Sequence, residues 1–120
     1  MKTNELTGAA LDWAVAKCEG RNFELVESFL DYYDEGGMHY AGDWSQGGPI
    51  IEREKIDLFT EKGTPESWIA SVARHQNGAR LVGWRIHQYG PTPLIAAMRC
   101  LVASKLGEEV DIPAKLGGDV

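Results

Sequence analysis

Gly90-Pro91-Thr92-Pro93-Leu94-Ile95-Ala96-Ala97-Met98-Arg99-Cys100-Leu101-Val102-Ala103-Ser104-Lys105-Leu106-Gly107 decides the fold class. Thr92 can accept a hydrogen bond from an unpaired first-turn N–H, which makes it an N-cap. Pro93 follows at the first helical position, where its missing donor costs nothing. Gly107 supplies the stop, and Lys105 places positive charge at the negative helix end. Between these signals one stripe holds Leu94, Ala97, Leu101 and Ser104, and the next holds Ile95, Met98, Val102 and Leu106. Only a narrow strip around Arg99 is polar. A helix this apolar is expected to be deeply buried, under a sheet or between a sheet and a partner.

The rest of the chain sets the bounds. At 120 residues it is one domain with room for a real core. We expect that domain over residues 1–113, with a disordered tail over 114–120 where Gly117, Gly118 and Asp119 have nothing to pack against. No apolar run approaches the roughly 20 residues of a membrane helix, and Met1–Glu5 leads into a capped helix instead of a signal peptide. Cys18 and Cys100 form no close-spaced pair and read as core thiols in a reducing cytosol.

The net charge of −6 argues against a nucleic acid polymer as partner. Charge is uneven: residues 68–106 hold Arg74, Arg80, Arg85, Arg99 and Lys105 and no acid. Two readings stand. These cations pair with the acidic N-terminal half, or they line an anion pocket.

Leu6 to Gly20 reads as a helix with Thr7 as N-cap, a Leu6–Leu11 staple, and Leu11, Ala14, Val15 and Cys18 buried. Trp13 lies off that stripe, either rimming the core or facing a partner. Residues 23–29 fit both a strand and a helical stripe; Phe and Val favour the strand. Asp31–Pro49 reads as a long irregular segment rich in glycine and aromatics, in which Asp43 caps a short turn. Pro49 then starts a helix to Lys55, and Ile56–Phe59 alternates as a short strand. Lys62-Gly63-Thr64-Pro65 is a turn. Asn77-Gly78 marks a two-residue hairpin turn that pairs Gln76 with Ala79. In that register Ala73 faces Val82, Ser71 faces Trp84 and Ile69 faces Ile86 on the core side. The mixed second face, carrying Trp68, Ala70, Val72 and Arg85, suggests cover by a helix or a second subunit. The fold class is therefore α/β of the α+β kind, a small sandwich of helices on a three- to four-stranded, mainly antiparallel sheet, with a homodimer favoured over a monomer.

Three stretches read together carry a resemblance: Gly8-Ala9-Ala10-Leu11-Asp12-Trp13-Ala14-Val15-Ala16-Lys17-Cys18-Glu19-Gly20, Asp43-Trp44-Ser45-Gln46-Gly47-Gly48-Pro49-Ile50-Ile51-Glu52-Arg53-Glu54, and Gly90 to Arg99. Together they resemble the NinX-type family of small proteins from tailed bacteriophages and prophages, up to about residue 113, with 21–42 least matched. The chain departs from that pattern at Tyr40-Ala41-Gly42-Asp43, where a Ser/Pro/Ser/Thr run usually precedes the Asp. The resemblance implies a small accessory phage protein in the host cytoplasm, with no established enzymatic activity and no catalytic residue to carry over.

The residues agree on the absence of chemistry. His39, His75 and His87 have no ligand-spaced companion, so neither a metal nor another cofactor is expected. No nucleophile elbow is present, and Glu52 and Glu54 point to different helix faces. The Trp44 loop and the Tyr89–Thr92 junction both precede helices. If those helix starts share one rim, Trp44 and Tyr89 stack on a base, while Gln46, the Gly47 and Gly48 amides and Thr92 donate to phosphate or sugar. Arg85 or Arg99 then balances charge. The alternative for the glycines is simple chain reversal. The expected function is non-enzymatic binding: of a host protein, or of a small anionic or nucleotide signal sequestered from host defence. The alternative is an interaction module with no small ligand, touching its partner through Trp13, Trp68 and Leu81.

Overall fold

The computed structural model describes residues 1–63, 67–76 and 79–118, with side chains described outside 74–84. Among them are four α-helices and one antiparallel sheet: α1 (Gly8–Cys18), α2 (Val26–Asp34), α3 (Trp44–Glu54), β1 (Asp57–Thr60), β2 (Trp68–Gln76), β3 (Ala79–Gly90) and α4 (Pro93–Leu106). The strands form a meander in the order β1-β2-β3, with no fourth strand among the described residues.

The α4 helix is the centre of the molecule. It packs against β2 and β3 on one side and against α1 and α3 on the other. This placement between two layers is why it carries no polar face: Leu94 and every residue from Ala96 to Ala103 are buried. Its start follows the sequence signals, with Thr92 Oγ1 accepting from the Ile95 amide at 3.1 Å and Pro93 in the first turn. Gly107 ends it at φ 90°. Arg99 is buried with the rest. Its Nε donates to the Leu6 carbonyl and its Nη1 to the Tyr89 carbonyl, both at 2.8 Å, so α4 holds the chain before α1 and the end of β3 together. The α1 helix is buried from Ala10 to Ala16. Trp13 belongs to this core, edge-on to Phe29 at 5.5 Å and 9% exposed.

Residues 1–3 close against the stretch after α4. The Thr3 amide donates to the Glu108 carbonyl at 2.8 Å, Thr3 Oγ1 to the Gly107 carbonyl at 2.7 Å, and the Val110 amide to the Met1 carbonyl at 2.9 Å. Beyond Pro113 the segment expected to fray makes a 3-10 turn over Ala114–Leu116. Leu116 packs on the core and Lys115 pairs with Glu27.

Three expectations are corrected. Residues 26–34 are helical, not a strand: Phe29 is fully buried among Trp13, Phe23 and Tyr33, and helical spacing brings those rings together. The α3 helix begins at Trp44, not Pro49, because Asp43 caps it; Pro49 lies inside. The hairpin pairs Gln76 with Ala79 and His75 with Arg80 as expected, but an irregularity between Ala73 and His75 leaves three extra residues on β3. Beyond it Ala73 pairs with Arg85, Val72 with Ile86 and Ile69 with Tyr89. An odd slip reverses the alternation of β3 relative to β2. The core face is therefore Trp68, Ala70 and Val72 with Ile86, and Ile69, Ser71 and Ala73 lie on the face without helices. Trp68 is thereby a core-side residue. The Asn77-Gly78 turn, Thr64-Pro65, Asp119 and the side chains of Arg74, Arg80, Leu81, Val82 and Trp84 fall outside what is described.

Candidate functional site

The residues singled out from sequence fall into two places. The first is the head of α3. Asp43 Oδ1 accepts from the Ser45 amide at 2.9 Å and the Ser45 hydroxyl at 2.7 Å. The Ser45 bonds, with a further one from Gln46, hold the Asp43 carboxyl below the usual carboxylate range, so it is an anion at neutral pH. Trp44, next along, is 54% exposed.

The Gln46 side chain spans the loop before the helix. Its Oε1 accepts from the His39 amide at 2.7 Å, and its Nε2 donates to the Gly36 carbonyl at 2.9 Å and to Asp43 Oδ2 at 3.1 Å. His39 stacks on Tyr33 with ring centroids 4.0 Å apart, and its Nε2 is 2.7 Å from the Tyr33 carbonyl. Met38 takes a left-handed φ of 60° and is buried together with Ala41. Beneath the loop lies Asp12, 3% exposed, whose Oδ1 accepts from the Ala41 amide at 2.9 Å. Burial pushes this carboxyl up to about 6, opposed in part by the Ala41 bond and by His39. The loop is thus tied to α1 by Asp12, to α2 by His39, and to α3 by Gln46. Above it a groove of about 440 Å³ is lined by Gly36, His39, Gly42, Asp43 and Trp44.

Gly47 and Gly48 do not offer free amides. Gly47 N–H donates to the Asp43 carbonyl at 2.9 Å as part of the helix, and Gly48 lies further inside it. Gly47 serves close approach instead: a Cβ there would stand 2.7 Å from the Leu94 side chain. That contact does set the heads of α3 and α4 side by side, so Thr92 and Gln46 begin neighbouring helices. Their polar groups, however, are occupied by the cap and the loop.

The second place is the sheet face turned away from the helices. Arg85 Nε donates to Ser71 Oγ at 2.6 Å, and its Nη2 pairs with Asp57 at 2.5 Å. Tyr89 stands in a row with Ile69 and Phe59 across the three strands. Tyr89 and Phe59 are exposed while Ile69 is buried between them. Trp44 thus heads α3 in the helical layer, while Tyr89 is on the open face of the sheet, just before α4. Arg99 lies beneath both surfaces, bound to main-chain carbonyls.

Among the described residues no group of three or more His, Cys, Asp or Glu could hold a metal ion. Burial pushes the Cys18 thiol up to about 11 and that of Cys100 up to about 12, so both are poor nucleophiles. No helix among the described residues is long and apolar enough to cross a membrane. Sequence reasoning singled out Trp44 but not Asp12 and His39, which tie down the loop before it. The available signal was Asp12 itself, a lone carboxylate inside the otherwise apolar run Ala10 to Ala16.

The model of the family described as Bacteriophage P22, NinX matches residues 2–105 of this chain. No curated protein matches it.

Proposed function

This chain belongs to the bacteriophage P22 NinX family, and we propose that this phage accessory protein acts by binding a protein partner, without an enzymatic step, in the host cytoplasm. The observation that supports the reading is Trp44. A half-exposed indole on a mobile loop is an ordinary surface residue. Here the indole heads a capped helix and the loop before it is tied down at three points. An aromatic side chain carried on backbone already fixed in place has less freedom to lose on binding, as interface hot spots do.

The same indole could stack on a base, and sequestration of a small nucleotide signal is the second reading. It rests on Trp44 alone, because Gln46, Gly47, Thr92, Arg85 and Arg99 are engaged within the fold. The homodimer reading belongs to the other face, where Phe59, Ile69 and Tyr89 form an uncovered apolar row.

The test is a photo-reactive amino acid at Gly42, where a side chain has open space beside the groove. Irradiation in phage-infected cells is expected to cross-link one protein, and Trp44→Ala is expected to abolish the adduct. Thermal shift against a panel of mononucleotides and cyclic nucleotides separates the second reading. A Trp44-dependent shift with a nucleotide, and no cross-linked protein, would replace the first reading with the second.

A further inference from the structure

Among the described residues Leu25, 62% exposed, and Tyr32, 53% exposed, are further large apolar side chains left open beside Trp44. Leu25 stands at the extended start of α2 and Tyr32 near its end. Gly36 and Gly37 connect the end of α2 to the Trp44 groove: the Gly37 amide donates to the Tyr32 carbonyl at 2.9 Å, and Gly36 lines the groove.

The segment that carries this apolar surface is acidic throughout. Residues 22–52 contain Glu24, Glu27, Asp31, Asp34, Glu35, Asp43 and Glu52 and no Lys or Arg. All of these carboxylates except that of Asp43, which is half-buried, are on exposed residues. Such a surface repels phosphate and attracts cations. The chain supplies one example of what lands there: Lys115, from the turn after Pro113, pairs with Glu27 on α2 and holds its carboxyl low.

We propose that this face docks a Lys/Arg-rich segment of the partner protein, with one cation over the Trp44 indole and its neighbours against Asp31, Glu35 and Asp43. The inference rests on the reading of Trp44 as the contact residue and adds the chemistry of what it contacts. An indole flanked by carboxylates favours a cation over its face by two independent attractions, the ring quadrupole and the formal charges. A second copy of this chain fits less well. Arg85 and Lys105 of its basic block are already paired with Asp57 and Glu54, and Arg99 is buried.

The test is calorimetric titration of the full chain with hexa-arginine, and with hexaglutamate as control. Hexa-arginine is expected to bind, and to bind about tenfold more weakly at about 300 mM salt than at about 50 mM. Trp44→Ala is expected to weaken it at least about fivefold. The double variant Asp31→Asn, Glu35→Gln alters only exposed side chains, and a similar weakening there keeps the test decisive if Trp44→Ala does not fold. Phe59→Ala, on the opposite face, is expected to leave binding unchanged. Absence of hexa-arginine binding, equal binding of hexaglutamate, or binding indifferent to both face variants overturns the proposal. So does self-association lost in Trp44→Ala, which would assign the face to a second copy. A Trp44-dependent cross-link to a protein with no basic segment overturns the cation chemistry and leaves Trp44 as the contact residue. Failure of the cross-link as well removes both.

Discussion

Gly47 of α3 lies so close to Tyr40 that a Cβ at this position would stand 2.2 Å from the Tyr40 carbonyl oxygen. The neighbouring glycine is not so confined: a Cβ on Gly48 would meet only the Trp44 ring, at 3.8 Å. The two adjacent residues should therefore respond in opposite senses. Gly47→Ala forces the loop or Leu94 to move and is expected to cost about 1–3 kcal/mol or more. Gly48→Ala gains helix propensity and is expected to stabilise by roughly 0.5–1 kcal/mol. Urea unfolding of the two variants against wild type checks both signs.

Asp12 makes the fold sensitive to pH in a predictable direction. Its carboxyl titrates at about 6 when folded, against 3.8 for the ordinary side chain. Between those values the folded chain keeps the proton and the unfolded chain releases it. This group's contribution therefore falls as pH rises through that window, by about 3 kcal/mol in all, and is constant above it. Asp43 and Glu27, held low by Ser45 and Lys115, act in the opposite sense, losing stabilisation as pH falls. Asp12→Asn keeps a carbonyl acceptor for the Ala41 amide and leaves those groups unchanged. The difference in unfolding free energy between variant and wild type is expected to move in the variant's favour from pH 4 to pH 7; a flat difference would refute the assignment.

Arg99 is expected to be a residue of stability and not of binding. Arg99→Met keeps the apolar stem but removes the donors to Leu6 and Tyr89. Leaving buried acceptors unpaired costs about 1–3 kcal/mol, more where the lost donor is charged. Arg99→Lys can reach at most part of this geometry and is expected to fall between. Chemical denaturation gives the order; a variant as stable as wild type would mean that these two bonds are dispensable.

The open sheet face carries the homodimer expectation. Phe59→Arg, exposed on β1, introduces charge into the apolar row without touching the helical layer. Sedimentation velocity is expected to show wild type as a dimer and the variant as a monomer, with melting behaviour of the separated chain unchanged. A monomeric wild type at about 100 μM would discard the dimer, a weak one at best.

How much of this was legible in the sequence depends on the range of the signal. The α4 helix was readable because Thr92, Pro93 and Gly107 act within a turn of themselves, and its apolar surround leaves no place for it but the centre. The hairpin tip pairing was readable for the same reason. The register beyond Ala73 was not, because the slip is set by which residues meet α4. The α2 helix was misread since nine residues fit two periods equally, and only the burial of Phe29 against Trp13 separates them. The α3 start was hidden because two glycines and Pro49 each disfavour a helix locally, and the packing of Gly47 against Tyr40 and Leu94 outweighs that preference. The anchoring of the loop before Trp44 was not legible either: the bond from Ala41 to Asp12 joins residues 29 positions apart.

The closure of residues 1–3 onto 107–110 bears on how the chain is made. A ribosome delivers Met1 long before Val110, so the latch cannot form until Val110 has left the exit tunnel. Until α4 arrives, α1 has the rings of Phe23 and Phe29 against Trp13 but lacks its cover on the α4 side. Closure of this centre is thus deferred until residues 93–110 have been made, and a rearranged chain that carried α4 ahead of α1 would be free to build it earlier.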